Sequence, residues 1–122
     1  MPGLTTTESQ ATLDARFPTT GGTDYIAYSA NGTSETTSLA RTAVGATGWA
    51  AATAADPSVK SNAATLTSAA ATAAVTVSHA AVFSAATGGT QRTEWQALTT
   101  ARTLATGDQL QFAAGTAQIT LT

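Results

Sequence analysis

The scarcity of large apolar side chains constrains this chain more than any other feature. Alanine and threonine supply 56 of its 122 residues, and only 23 residues carry a large apolar side chain. Strands rich in Ala and Thr bury little area per residue, so the core is expected to be thin. We therefore expect one small domain, with neighbouring chains in an assembly supplying part of its burial.

The low charge of the chain argues against several classes of partner. Five basic and seven acidic residues give a net charge of −2, so self-repulsion does not predict disorder. Lys and Arg form no cluster, and we expect neither nucleic acid nor a membrane surface as a partner. The first eight residues lack the pattern of a secretion signal, so synthesis in the cytoplasm is expected. The chain contains no Cys, which fits a reducing compartment.

The N-terminal segment predicts one short helix. Thr5 followed by Glu8 fits a capping box, in which each residue satisfies a free backbone N–H at the start of a helix. Leu13 and Phe17 then lie four residues apart, on one face of that helix. Pro18 is expected to end it.

The middle of the chain predicts strands separated by turns. Residues 25–28 (YIAY) and the Val-rich residues 75–83 have β-strand composition. Asn-Gly at 31–32 and Gly-Gly within 87–90 mark turns. Residues 63–74 are ambiguous, because alanine favours helix while the interspersed threonines favour strand. We predict a strand there.

The C-terminal third predicts a series of short extended segments separated by turns at spacings of about eight residues. The segments are residues 93–98, 103–104, 110–112 and 119–121. Together with the earlier strands they predict an all-β fold, an antiparallel β-sandwich of jelly-roll or immunoglobulin-like type with a short N-terminal helix. We expect residues 1–20 to form an arm with the helix and residues 21–122 to form the sandwich.

The chemistry of the side chains does not favour an enzyme. His79 is the only histidine, and no Gly-x-Ser-x-Gly motif accompanies it. It lies between Val77 and Val82, so we expect a packed strand residue with hydrogen-bonded ring nitrogens. The carboxylates are isolated, and the Gly-Gly pairs lack the Lys that follows the glycines of a phosphate loop. We expect no catalytic residues, no metal and no cofactor.

Aromatic and basic side chains leave alternatives open. Trp49 and Trp95 are expected to pack in the core or at a subunit interface, but flat aromatic rings also serve as sugar-stacking platforms. Three arginines are expected to form ion pairs at the rim of the fold, each contributing about 0–1 kcal/mol. They are Arg41, Arg92 and Arg102, and the expected acidic partners are Glu35, Glu94 and Asp108.

The order of several segments resembles a family of small virion proteins of tailed phages, described as tail-fibre-like or head-decoration proteins. The segments that carry the resemblance are ATLDARF (11–17), YIAY (25–28), LAR (39–41), SNAA (61–64), VSHAAVFSAATGG (77–89), LTT (98–100) and GDQLQFAAG (107–115). The resemblance implies a short N-terminal helix before an antiparallel sandwich, and it supplies no catalytic residues.

The function implied by the resemblance is structural. The first expectation is a capsid decoration, or cement, protein on the outside of the head, where it would bridge subunits of the major capsid protein. The second is a tail or tail-fibre component. In either role we expect a homo-oligomer such as a trimer on the virion, made in the cytoplasm of the bacterial host. A carbohydrate-binding module using Trp49 or Trp95 is the alternative from another class.

Chain ends and loop tips are the candidate contact sites, because they are what a sandwich presents to its neighbours. The candidates are Met1, Pro2, Leu4 and Thr5 in the N-terminal arm, and Gly88, Gly89, Arg92 and Trp95 around a predicted turn.

Overall fold

The computed structural model describes residues 5–20, 22–45, 48–54 and 58–121. The helix and strands among them are α1 (Thr6–Arg16), β1 (Tyr25–Ser29), β2 (Thr42–Ala43), β3 (Ser58–Ser61), β4 (Leu66–Thr67), β5 (Val75–Phe83), β6 (Gln96–Leu104), β7 (Gln111–Phe112) and β8 (Gln118–Leu121). Four pairs of strands are antiparallel: β1 with β2, β1 with β5, β5 with β6, and β3 with β8. The predicted fold class, an all-β antiparallel sandwich with a short N-terminal helix, is confirmed. Within the described ranges, no helix has the length and apolar character needed to cross a bilayer.

The first helix forms as the sequence predicts. Thr5 is its N-cap, and the backbone N–H of Glu8 donates to Thr5 Oγ1 at 3.2 Å. Leu13 and Phe17 are each 4% exposed and cover the inner face. The chain leaves the helical conformation at Phe17, whose N–H still donates to the Leu13 carbonyl, and Pro18 follows.

The chain groups into two compact units. Unit 1 comprises Met1–Gly22, Val44–Thr65 and Phe112–Thr122, and unit 2 comprises Thr23–Ala43 and Leu66–Gln111. Each unit therefore contains segments that are distant in sequence. The expected division at residue 20 stays a prediction.

A buried lysine attaches α1 to β3 in unit 1. The Lys60 side chain is 0% exposed, and its Nζ lies 2.6 Å from Asp14 Oδ1. The Ala52 N–H donates to the same carboxylate at 2.9 Å. Desolvation raises the pKa of Asp14, but the hydrogen bonds from Lys60 and Ala52 and the Lys60 charge lower it further, so the pKa is below its usual value.

Trp49 and Asn62 organise the rest of unit 1. Trp49 is 2% exposed and meets the ring of Phe17 edge-on, at 5.8 Å between centroids. Asn62 is buried, and its Nδ2 donates to the carbonyls of Ala64 and Ala113 at 2.7 and 3.0 Å. Its Oδ1 accepts from the Ala117 N–H. These bonds satisfy a buried amide and link the segment after β3 to the turn between β7 and β8.

Unit 2 contains a four-stranded sheet in the order β2-β1-β5-β6. The central strand β1 is buried at four of its five positions and pairs along its whole length with β5, Tyr25 opposite Phe83 and Ser29 opposite His79. Tyr28 is fully buried, its hydroxyl is hydrogen-bonded to Thr42 Oγ1, and burial raises the pKa of the Tyr28 phenol to about 12.

Two predicted elements are wrong in extent. Within residues 63–74 only β4 is a strand, and the alanines after it pair irregularly, with Ala71 N–H donating to the Asp108 carbonyl. Small side chains give this stretch no apolar face that would fix a regular strand. The predicted segments 93–98 and 103–104 instead belong largely to one strand, β6, which begins at Gln96.

Candidate functional site

The connection between β5 and β6 is a hydrogen-bonded hairpin in unit 2. The Ser84 N–H donates to the Thr90 carbonyl at 3.0 Å, and the Thr90 N–H donates to Ser84 Oγ at 2.8 Å. The Arg92 N–H donates to the Val82 carbonyl at 2.7 Å. Residues 86–91 at the tip are all exposed. The hairpin thus presents an accessible tip on a defined stem.

The Arg41 side chain anchors the tip of the hairpin. Its Nε and Nη2 donate to the two carboxylate oxygens of Glu35 at 2.8 Å, and its Nη1 donates to the carbonyls of Ala85 and Gly88 at 2.7 and 2.8 Å. The guanidinium carbon lies 4.0 Å from the ring centroid of Phe83, a cation–π contact. The hydrogen bond to Glu35 raises the pKa of Arg41, so its charge persists. One 7% exposed side chain therefore holds two loops together.

The return segment of the hairpin carries a second charge pair and an aromatic pair. Arg92 Nε lies 3.1 Å from Asp24 Oδ1, a charge contact rather than an aligned hydrogen bond. Trp95 is half-buried and packs against Phe83 with 5.9 Å between ring centroids. Phe83 therefore has the Arg41 guanidinium and the Trp95 ring as neighbours.

The structure brings four of the predicted contact residues onto this one connection: Gly88, Gly89, Arg92 and Trp95. Both glycines have positive φ, 61° and 71°, as the predicted tight turn requires. Thr5 lies in unit 1 as the N-cap of α1. The remaining predictions, Met1, Pro2 and Leu4, lie outside the described residues.

The predicted arginine pairs are correct for Arg41 and wrong for Arg92. Arg41 pairs with Glu35 as expected, but it is nearly buried rather than at the rim. Arg92 contacts Asp24, not Glu94 or Asp108, because the hairpin lays residue 92 beside β5 next to the start of β1. Arg102 is exposed in β6.

Two further side chains occupy packed positions. His79 lies in β5 with its Nδ1 2.7 Å from Ser78 Oγ, and its ring lies against the backbone of Gly32. His79 is a strand residue as predicted, but it is half-buried and only its Nδ1 is hydrogen-bonded to a described residue. Trp49, being 2% exposed, offers no ring face for stacking a sugar.

Among the residues described, no group of three His, Asp or Glu side chains is placed to hold a metal ion.

A groove lies between the tip of the hairpin and the loop that follows β1. Its volume is about 320 Å³, and it is widely open to solvent. Its walls and floor are formed by Glu35, Thr36, Thr37, Leu39, Ala40, Arg41, Ala86 and Thr87. All of these residues belong to unit 2.

The model of one protein family, described as Podophage GP4 fiber I protein gp80, matches residues 5–120. The chain belongs to this family. Membership in a phage fibre family makes it a structural protein of a tailed phage and a component of the virion. The predicted resemblance to structural proteins of tailed phages is confirmed. The match is to a fibre family, not to a head-decoration family. A comparison with the curated proteins finds no match.

The most exposed strand of this fibre-family protein is β6. Seven of its nine residues are exposed, and Leu98 and Leu104 are the exceptions. The strand is the last in its sheet, and no other strand of the described residues pairs with its outer edge. Between the pairs Val77–Arg102 and His79–Ala97, four residues of β6 lie opposite Ser78 alone, which makes a large β-bulge.

Sequence reasoning missed the anchoring contacts of Arg41 with the hairpin and the exposure of β6. The signal for β6 is present in the sequence, because residues 96–104 contain only two large apolar side chains, too few to cover either face. The contacts of Arg41 with the Ala85 and Gly88 carbonyls carry no local signal, since more than 40 residues separate them.

Proposed function

We propose that this chain is a structural subunit of the tail fibre of a tailed phage. The observation that carries the proposal is the family match, which spans residues 5–120 and names a phage fibre protein. It supports the tail-fibre alternative over a capsid decoration protein bound to the major capsid protein. The proposed subunit acts mechanically, by occupying a fixed place in an oligomer.

The proposed assembly is a homo-oligomer whose subunits meet through β6 and the adjoining hairpin. An edge strand that is exposed on both faces and carries one charge, Arg102, lacks most features that keep strands apart. The bulge leaves Leu98 and the three residues after it outside the regular ladder with β5. A further copy would supply the burial that the chain's few large apolar residues do not.

The proposal includes no catalytic reaction and no cofactor. Three acidic side chains of the described region are engaged in structural pairs, Asp14 with Lys60, Glu35 with Arg41 and Asp24 with Arg92. The single histidine is hydrogen-bonded to its neighbour Ser78. These roles support a protein that works through its surfaces.

Light scattering coupled to size-exclusion chromatography tests the assembly. The wild-type chain is expected to form an oligomer. Thr100→Asp places a charge at the exposed centre of β6 and is expected to give monomers with an unchanged circular dichroism spectrum. Thr106→Asp, at an exposed turn beyond β6, is the matched control and should retain the oligomer. A monomeric wild type, or a Thr100→Asp oligomer equal to wild type, contradicts the proposed contact.

A further inference from the structure

We propose that the loop after β1 protects the Asn31–Gly32 peptide from deamidation, a spontaneous modification of asparagine. This protection concerns the chemical lifetime of the chain and does not depend on the fibre role. Asparagine followed by glycine is especially prone to the reaction, because glycine has no Cβ to hinder the attack. Asn31 is exposed, so any protection comes from hydrogen bonds rather than from burial.

Deamidation starts when the backbone nitrogen of Gly32 attacks the side-chain carbonyl carbon of Asn31. A bond forms between these two atoms, the Gly32 nitrogen gives up its proton, and the side-chain nitrogen leaves with a proton as ammonia. Water then opens the resulting succinimide ring to aspartate or isoaspartate. The attack needs a Gly32 nitrogen that can lose its proton and a side-chain amide that turns its face towards that nitrogen.

The Gly32 N–H is already engaged in a hydrogen bond. It donates to Ser29 Oγ at 2.9 Å, and the Asn31 N–H donates to the same oxygen at 3.2 Å. Ser29 is 0% exposed, and its hydroxyl donates to the Ser34 carbonyl at 2.6 Å. The Gly32 nitrogen is therefore held by a buried oxygen, and releasing its proton requires that this bond break.

The side-chain amide of Asn31 is held at both ends. Its Oδ1 accepts from the N–H groups of Thr33 and Ser34 at 2.9 and 3.0 Å, and its Nδ2 donates to Ser34 Oγ at 3.2 Å. Donors to a carbonyl oxygen lie near the plane of its amide, whereas a nucleophile attacks the carbon from above that plane. Turning the amide for attack therefore disrupts these bonds.

The ring of His79 restricts Gly32 from the side of β5. A Cβ at residue 32 would lie 2.9 Å from His79 Nε2, so the ring leaves little room for the Gly32 backbone to rotate. Because the nitrogen, the amide and the glycine are all held, the reaction requires a local opening of the loop. The small population of the open loop then limits the rate.

Isoaspartate in this loop would disturb the hairpin. It adds one carbon to the backbone of a loop that is closed by the bond from Thr36 N–H to the Tyr28 carbonyl at 2.8 Å. The same loop carries Glu35, which pairs with the Arg41 side chain that anchors the hairpin tip. A virion protein is not replaced after assembly, so resistance to this damage preserves the hairpin for the lifetime of the particle.

Mass spectrometry of peptides from the chain measures deamidation at residue 31. The folded wild type and the same chain unfolded in guanidinium chloride are incubated side by side in mildly alkaline buffer. The folded chain is expected to deamidate at least about tenfold more slowly than the unfolded chain. Equal rates, or a faster rate in the folded chain, would overturn the proposal.

Variants then identify the bonds that protect. Ser29→Ala removes the acceptor of the Gly32 N–H and is expected to speed deamidation of the folded chain about fivefold. Ser34→Ala removes the acceptor of Asn31 Nδ2 and should give a smaller increase. Ser58→Ala is the matched control, because Ser58 is also 0% exposed but lies in unit 1, and it should deamidate at the wild-type rate.

Circular dichroism establishes that each variant is folded. If Ser29→Ala and Ser34→Ala both deamidate as slowly as wild type, these hydrogen bonds do not protect Asn31 and the proposal is contradicted, whatever the oligomeric state. An equal acceleration in Ser58→Ala would also contradict it, since the effect would then reflect general destabilisation.

Discussion

β5 and β6 are neighbouring antiparallel strands of the same length in the same sheet, yet their surroundings differ sharply. Each has nine residues, but β5 has one exposed position and β6 has seven. β5 lies between β1 and β6, whereas β6 has a sheet neighbour on one side. The difference shows that in a chain with few large apolar groups, burial is concentrated in some strands while others stay exposed.

The side chains explain the difference. β5 carries three valines and a phenylalanine, and Val77, Ala81 and Val82 are buried. β6 carries Leu98 and Leu104 among Thr, Ala, Gln and Arg. β5 is the strand that pairs with β6, so the stability of β6 depends on this neighbour and, in our proposal, on another subunit.

The largest difference in unfolding free energy is expected between two single variants, one with a carboxylate added in β5 and one with a carboxylate added in β6. Val77 is 0% exposed, so Val77→Asp buries an unpaired carboxylate and is expected to cost more than about 4 kcal/mol of unfolding free energy. Thr99→Asp places the same group on exposed β6 and should change the stability of the monomer by less than about 0.5 kcal/mol. Urea denaturation at dilutions that maintain monomers measures both.

Equal losses in the two variants would break the comparison, since they would mean that β6 is buried within the monomer. Val77→Ala serves as a milder control, because it makes a cavity without adding a charge.

A smaller effect is expected from loosening the connection between the two strands. Arg41→Ala removes two hydrogen bonds to hairpin carbonyls, two to Glu35 and the cation–π contact with Phe83. The expected cost is about 2 kcal/mol, with faster amide hydrogen exchange at residues 84–91 and unchanged exchange in β1. Arg41→Lys keeps the charge but not the paired geometry, so its exchange should be intermediate. Hairpin exchange equal to wild type in Arg41→Ala would remove Arg41 from the anchoring role.

Alanine substitutions at two glycines test how tightly the chain packs beside β5 and just after β6. Gly32 and Gly107 both have positive φ, 76° and 92°, so alanine is strained at either position. An added Cβ at Gly32 would lie 2.9 Å from His79 Nε2 of β5, whereas nothing lies within 4 Å at Gly107, three residues after β6. Gly32→Ala is therefore expected to cost about 1 kcal/mol more than Gly107→Ala. Thermal or urea unfolding of the two variants checks this, and equal costs would indicate that His79 moves aside freely.

The smallest effect comes from pH and is confined to unit 1. The folded-state pKa of Asp14 is below its usual value, so its ion pair with Lys60 adds stability above the unfolded pKa of about 3.9. This contribution is lost as pH falls through the lower folded pKa. Asp14→Asn should therefore unfold at lower urea concentration than wild type at pH 7, with the gap closing in acid. A gap that stays constant to pH 2 would contradict the assignment.

Local sequence signals predicted the local parts of this fold. The Thr5 cap, the Asn-Gly turn and the Val-rich strand β5 each depend on residues within a few positions of one another. The pairing of Arg41 with Glu35 could also be predicted, because the two residues are only six positions apart in the sequence.

The rest depended on contacts between distant residues. Asp24 meets Arg92 only because the hairpin and β1 both lie beside β5. The strand predicted over residues 63–74 is wrong because alanine and threonine are compatible with several backbone conformations. The conformation that forms depends on hydrogen bonds to distant residues, such as the one from the Ala71 N–H to the Asp108 carbonyl. The groove combines two loops about 50 residues apart, so its lining could not be assembled from spacing alone.

The most direct test of the tail-fibre proposal is a count of this chain in purified particles, by quantitative mass spectrometry against the major capsid protein, with heads and tails separated. A fibre subunit is expected in the tail fraction, at far fewer copies than the capsid protein. A ratio near one chain per capsid subunit, recovered with the heads, would contradict the fibre role and establish capsid decoration instead.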